Sequence, residues 1–356
     1  MSATTASTII DAEEFDALLS VAGAYARDVA RPLALDVDAG DEEAGRRAWS
    51  ALCEIGLERS LLAAEAGGPG LPDGTLAPLA EAVATGDGGT ALRLVLSNVA
   101  LAGLATPPAE AARWAYVPAA GVRGLEDAPE LRANALVGEA RFALGAAGAD
   151  GLVIACRDTK GPALAAVVRG TPGLRERPVD DQLGLRGAPA AVLSFDHATA
   201  IPLGGVDAAA RAGALVHAGV AGIARGIARR AHEMAFAYAE ERYQGGGPII
   251  IHGAVRDMLA RMAERELGVG RAPEPATAVD PAVALAQKAA CTDAAVATTT
   301  DAVQVFGGMG YMRETGVEKL MRDARYCQLF PASNWATREA LLQLQRTRRA
   351  SSGHGT

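Results

Sequence analysis

The stretch DAVQVFGGMGYMRETGVEKLMRDARYCQLF, residues 301–330, decides how this chain is read. Its first six residues end a helical pattern that opens at Pro281. The glycines of GGMG (residues 307–310) break that pattern, because glycine favours the end of a helix and the turn beyond it. Working outward, helical periodicity predicts helices over 208–244, 252–267 and 335–349, with the Pro-rich GRAPEPATAVDP as a helix-to-helix loop. Before them, ALVGEARFALGAAGADGLVIACRD, PALAAVVRG and AAVLSFDHATAIP are short β-rich runs separated by Gly, Pro and Asp. Such runs suggest packed strands rather than βαβ units. Earlier still, from Asp11 to about Thr106, apolar residues such as Phe15, Leu18, Leu19 and Ala22 recur at helical spacing. The breaker-rich AEAGGPGLPDG interrupts this region, and Pro107 and Pro108 close it. The order is helical, β, helical.

Composition agrees. The chain has 356 residues, half of them hydrophobic, enough for a large core in two or three lobes. Alanine favours long helices because it loses no side-chain entropy on entering one. A formal net charge of −8 argues against nucleic acid as a partner, since phosphate neutralisation needs clustered Lys and Arg. Arg225, Arg229 and Arg230 do cluster, and are read as one solvated or anion-facing stripe. Cys53, Cys156, Cys291 and Cys327 form no CxxC pair, so neither a disulfide framework nor a metal site is expected, and a cytoplasmic location is. No membrane span and no signal peptide is expected.

Residues 301–330 resemble the C-terminal signature of the acyl-CoA dehydrogenase family. Three further stretches agree in the same order. ARGIARRAHEMAFAYAEERYQGGGPIIIHGAVRDMLARM resembles the family's first bundle helix and the turn into its second, QLGLRGAPAAVLSFDHATAIP its closing β-domain strands, and GEARFALGAAGADGLVIACRD its opening ones. The resemblance covers roughly the C-terminal two thirds of the chain. It implies a mainly α fold with a middle β-domain: a shortened helical N-terminal domain (1–112), a β-domain (113–206), a C-terminal four-helix bundle (207–350) and a disordered tail (351–356).

It also implies FAD. Family members desaturate an acyl thioester: a Glu removes the α-proton while flavin N5 takes the β-hydride, chemistry that needs a positioned base and donors to the developing enolate. By the same resemblance, Arg242, Gln304, Gly307, Gly308 and Gly310 match the elements that hold the dinucleotide end of FAD, partly for a neighbouring subunit. Glycine there lets backbone approach phosphate closely, though GGMG also reads as a plain turn. Gly253 replaces a second expected Gln, and an aromatic expected near Gly245 is missing.

The other half of the site departs from the family. AYVPAAGVRG (115–124) stands where a TEPGAGSD-like segment is expected, and Phe142, Ala143 and Leu144 match a Trp-Ile-Thr element that packs on the flavin. Pro331 falls on the catalytic Glu, offering neither carboxylate nor N–H. The alternative position of the base in some relatives falls on Val216, beside His217. His217 and His232 are read as ordinary helix residues, Asp180 and Asp181 as solvated, and Asp323 as the partner of an Arg. The loss of one half with retention of the other implies a base-lacking subunit that completes a partner's flavin site, in a homo- or hetero-oligomer with another acyl-CoA dehydrogenase-like chain acting on acyl-CoA or a carrier-bound acyl thioester. Alternatives are a flavin monooxygenase, a dehydrogenase with another base such as Glu81, and a non-enzymatic oligomerisation or binding protein.

Overall fold

The computed structural model describes residues 10–104, 113–119, 124–270, 275 and 278–352. Parts of the sequence readings above therefore lie outside the described residues: the closing Pro107–Pro108, residues 120–123 in AYVPAAGVRG, much of GRAPEPATAVDP, and residues 353–356.

The chain opens with helix α1 (Ala12–Tyr25), set by a capping box in which Asp11 accepts from the Glu14 amide and the Glu14 side chain accepts from the Asp11 amide. A π-helical turn (Ala26–Ala30) leads into α2 (Arg31–Ala39), followed by α3 (Glu42–Glu54), α4 (Leu76–Ala84) and α5 (Gly88–Ala102). Helices α4 and α5 are buried almost all round, including Leu76, Leu79, Val83, Leu92, Leu94 and Val95, which matches their apolar sequence.

The middle of the chain is one sheet of strands β1 (Trp114–Val117), β2 (Glu130–Arg132), β3 (Ala135–Ala143), β4 (Gly151–Asp158), β5 (Gly161–Val168), β6 (Leu174–Pro178), β7 (Ala191–Thr199) and β8 (Ile201–Gly204). The strand order is β6-β7-β3-β2-β4-β5-β8, with β1 and β2 both running parallel to β4 and the remaining pairs antiparallel. Strand β4 reads as a continuous apolar run because both its faces are covered. Val153 and Ala155 join Trp114 and Tyr116 in the core shared with the helices. Leu152, Ile154 and Cys156 join Leu136, Leu193 and Phe195 in a second core within the β-region.

Helices return with α6 (Val206–Glu241), a two-residue ribbon β9 (Tyr243–Gln244) and β10 (Gly247–Pro248), then α7 (Gly253–Gly268), α8 (Pro281–Phe306), α9 (Val317–Leu329) and α10 (Asn334–Ser352). Helix α6 packs on α8, α7 and α9, and also on α4 and α5, so it is the axis of the molecule. Helix α8 begins at Asp280, whose carboxylate accepts from the Ala282 and Val283 amides with Pro281 at the first turn. Helix α9 forms a separate helix within the opening stretch, and α10 extends through Ser352, into residues expected as tail. No described helix is long and apolar enough to cross a membrane.

Two sequence readings are corrected by packing. Arg225 is not on a solvated stripe: its side chain is 5% exposed and its Nε donates to Glu81 Oε2 at 2.8 Å. Arg229 also pairs with Glu81, so that carboxylate is occupied within the helical core. Asp323 pairs with a lysine rather than an arginine: Lys319 Nζ lies 2.6 Å from Asp323 Oδ2 and 2.6 Å from Asp87 Oδ1, all three side chains buried.

Candidate functional site

A pocket of about 280 Å³ opens between the first half of α6 and the sheet. The helix supplies Val206, Ala209, Ala210, Gly213, Val216 and His217, a stripe at three- and four-residue spacing. Its side chains are small, so the helix stands off the sheet and leaves room. Tyr116, Ala155, Cys156, Pro162 and Ala163 form the opposite wall, and Pro331 and Ala332 close one end. Pro331 and Val216, the two positions that resemblance assigns to a catalytic carboxylate, thus face one space. Among the described residues, no Asp, Glu, Lys or Arg lines it.

The loop bearing Pro331 is held by a residue the sequence reading passed over. Lys288 is fully buried in α8, and its Nζ donates to Ala332 O at 2.6 Å, Asn334 Oδ1 at 2.8 Å and Gln328 O at 3.1 Å. Burial pushes its pKa down from 10.5 to about 8. Asn334 is in turn tied to Ala289 O, Thr292 Oγ1 and Asp293 Oδ1. Helical periodicity carried a signal, since Lys288 lies on the same stripe as the buried Ala284, Cys291, Thr292 and Ala295.

His217 is also in the pocket wall. Its Nδ1 lies 2.6 Å from Gly213 O, a contact that requires Nδ1 to carry the proton. Burial pushes its pKa down to about 4, with the Gly213 carbonyl opposing and Lys288 adding to the fall. The imidazole is therefore neutral at ordinary pH, with Nε2 as an acceptor. His232 lies elsewhere, its Nδ1 3.2 Å from Glu266 Oε2. Asp180 and Asp181 are exposed.

The residues matched to the dinucleotide end of FAD lie at the far end of α6. Tyr238, one turn before Arg242, stacks on Phe306, the residue before Gly307, with ring centroids 4.2 Å apart. That contact draws the Arg242 end of α6 to the glycine turn. Arg242, Gln304, Gly307 and Gly308 are exposed. Gly307 has φ 58°, and neither it nor Gly308 has an atom within 4 Å of where a Cβ would stand, so the turn presents bare backbone outward. Gly310 differs: a Cβ there would meet Val303 O at 2.4 Å, so packing within the chain already requires glycine. Gly253 is exposed and adds no side-chain donor.

These groups fit the diphosphate end of FAD, where a guanidinium, an amide and open backbone are suitable donors. The ring end does not fit. Phe142 is 58% exposed with φ 53°, while Ala143 and Leu144 are buried apolar residues. None offers a side-chain donor or acceptor to a flavin heteroatom. Among the described residues no group of three or more His, Cys, Asp or Glu is placed to hold a metal ion.

Comparison with known proteins follows the same lines. Residues 204–331 match the profile of the acyl-CoA dehydrogenase C-terminal domain. The cyclohex-1-ene-1-carbonyl-CoA dehydrogenase of Syntrophus aciditrophicus (strain SB) is 34% identical over 197 residues, covering 51% of this chain and 47% of that protein. The chain spans about half the length of the curated relatives it matches. Butyryl-CoA dehydrogenase from Megasphaera elsdenii shares the fold with a TM-score of 0.79 at 21% identity, over 95% of this chain and 99% of that one. The Tcur3481-Tcur3483 steroid ACAD does so with a TM-score of 0.78 at 20% identity, again over 95% and 99%. The profile match assigns residues 204–331 to the C-terminal domain of the acyl-CoA dehydrogenase family, and helical region, sheet and helical bundle in that order give the chain the fold of acyl-CoA dehydrogenases.

Proposed function

We propose that this chain is a base-lacking subunit of an FAD-linked acyl-CoA dehydrogenase, completing a partner chain's flavin site for the α,β-desaturation of an acyl thioester. The observation that carries this reading is the pocket closed by Pro331: among the described residues no carboxylate lines it, so the family's kind of base is missing there. The dinucleotide-binding elements, by contrast, face outward, where a second chain can use them. When bound, FAD supplies the hydride acceptor. This chain's own part is positional. Arg242 neutralises phosphate charge, Gln304 offers both donor and acceptor, and the Gly307–Gly308 turn allows close backbone approach. Proton removal falls to the partner's carboxylate.

The test is expression of the chain alone and together with a catalytic acyl-CoA dehydrogenase chain from the same organism. Alone, it should purify with little flavin and no acyl-CoA oxidation. The complex should hold one flavin per pair of chains and oxidise acyl-CoA, and Arg242→Ala should lower its flavin occupancy. A homogeneous preparation carrying one flavin per chain and oxidising acyl-CoA unaided would sink the proposal.

A further inference from the structure

The pocket beside Pro331 keeps two polar groups without partners in the chain. Tyr116 is 3% exposed and lines the pocket, yet its hydroxyl makes no hydrogen bond with any described residue. Burial, with a smaller contribution from Cys156, raises its pKa above the ordinary phenol range, so it stays a protonated donor. His217 spends Nδ1–H on Gly213 O and leaves Nε2 as an unpartnered acceptor. The third polar group of the wall is already engaged: Cys156 Sγ donates to Ala163 O at 3.4 Å. Among the described residues, everything else in the lining is apolar or glycine, and none of it is charged.

We infer that this pocket binds a small neutral alcohol with an apolar body, Tyr116 acting as the donor to it and His217 Nε2 as the acceptor from it. An anionic ligand meets no countercharge among the described lining residues. A ketone or thioester of the same shape satisfies Tyr116 but leaves Nε2 unmet. The volume of about 280 Å³ suits a small ring or short chain rather than a large ligand. The inference rests on the pocket alone. Arg242 and the glycine turn play no part in it, so it and the shared-flavin proposal fail independently.

The experiment titrates the full-length chain with cyclohexanol and with cyclohexanone, following binding calorimetrically and by the ¹⁵N shift of His217 Nε2. Cyclohexanol should saturate the site, move Nε2 upfield as it accepts a hydrogen bond, and bind about three- to tenfold more tightly than cyclohexanone. His217→Phe should abolish that preference and His217→Gln, which keeps a neutral acceptor, should retain it. Tyr116→Phe should weaken both ligands. The Nε2 shift is read on the unsubstituted protein, so it stands even where a variant folds poorly. Absence of saturable binding, equal affinity for the two ligands, an unmoved Nε2 signal, or displacement of cyclohexanol by butyryl-CoA at lower concentration would each overturn it.

Discussion

Lys288 has an ammonium group in a fully buried position with three neutral acceptors and no carboxylate in hydrogen-bonding contact. Lys288→Met removes three donated bonds and should cost about 1–3 kcal/mol in urea denaturation, while loosening the Pro331 loop. The pH dependence has a definite sign. Burial sets the folded pKa at about 8 against 10.5, so between those values the unfolded chain holds a proton that the folded one has released. Stability should therefore gain from this group as pH rises from 8 toward 10.5, and the gain should vanish in Lys288→Met. His217 acts at the other end of the scale. With its pKa depressed to about 4 from 6.5, the unfolded chain takes up a proton first as pH falls through that window. Stability should drop there, and His217→Gln should flatten this part of the curve. Sequence spacing could locate His217 beside the lost base, but not the acceptor geometry, because Tyr116 and Pro331 reach the pocket from distant parts of the chain.

Helix α6 shows what a helical pattern tells and what it withholds. Periodicity placed it within a few residues of its ends, and the Pro281 start with the Gly307 stop bounded α8 correctly, since those signals are local. The partners of α6 were not legible. Arg225 looked like a surface residue because Glu81, which neutralises it, lies 144 residues away. The spacing of Gly219, Gly222 and Gly226 did hold a clue. A Cβ at Gly222 would meet Ala77 O at 2.1 Å, at Gly226 Glu81 O at 2.3 Å, and at Gly219 Val95 Cγ1 at 2.6 Å. These glycines let α6 press against α4 and α5. Gly222→Ala should destabilise the protein by about 1–3 kcal/mol through overpacking. Gly45→Ala, in α3 where a Cβ meets nothing within 4 Å, should stabilise it by about 0.5–1 kcal/mol. Thermal denaturation of the two variants should shift in opposite directions.

The helical N-terminal region, the sheet and the bundle meet at one buried joint. Asp87 caps α5 by accepting from the Thr90 amide at 2.7 Å and also holds Lys319. Asp323 accepts from the Leu185 amide at 2.6 Å, on the link between β6 and β7. Arg322 beside it reaches Asp38 Oδ2 at 2.7 Å, Glu318 Oε2 at 2.6 Å and Leu183 O at 2.7 Å. Burial would lower the Lys319 pKa, but Asp323 and Asp87 outweigh it and raise it, so the cation stays charged. Lys319→Met leaves two buried carboxylates without their cation and should cost about 3–5 kcal/mol. Fluorescence from Trp49, Trp114 and Trp335, one in each part of the chain, should shift in a single earlier transition rather than region by region.

The joint also orders events in time. Asp87 and Lys319 are 232 residues apart, so at 5–20 residues per second the carboxylate emerges from the ribosome on the order of ten to fifty seconds before its cation. Until then Asp87 has the Thr90 amide and hydroxyl as partners but no cation. The nascent chain should therefore close fully only with its last helices, and that interval is when a holding chaperone would matter most.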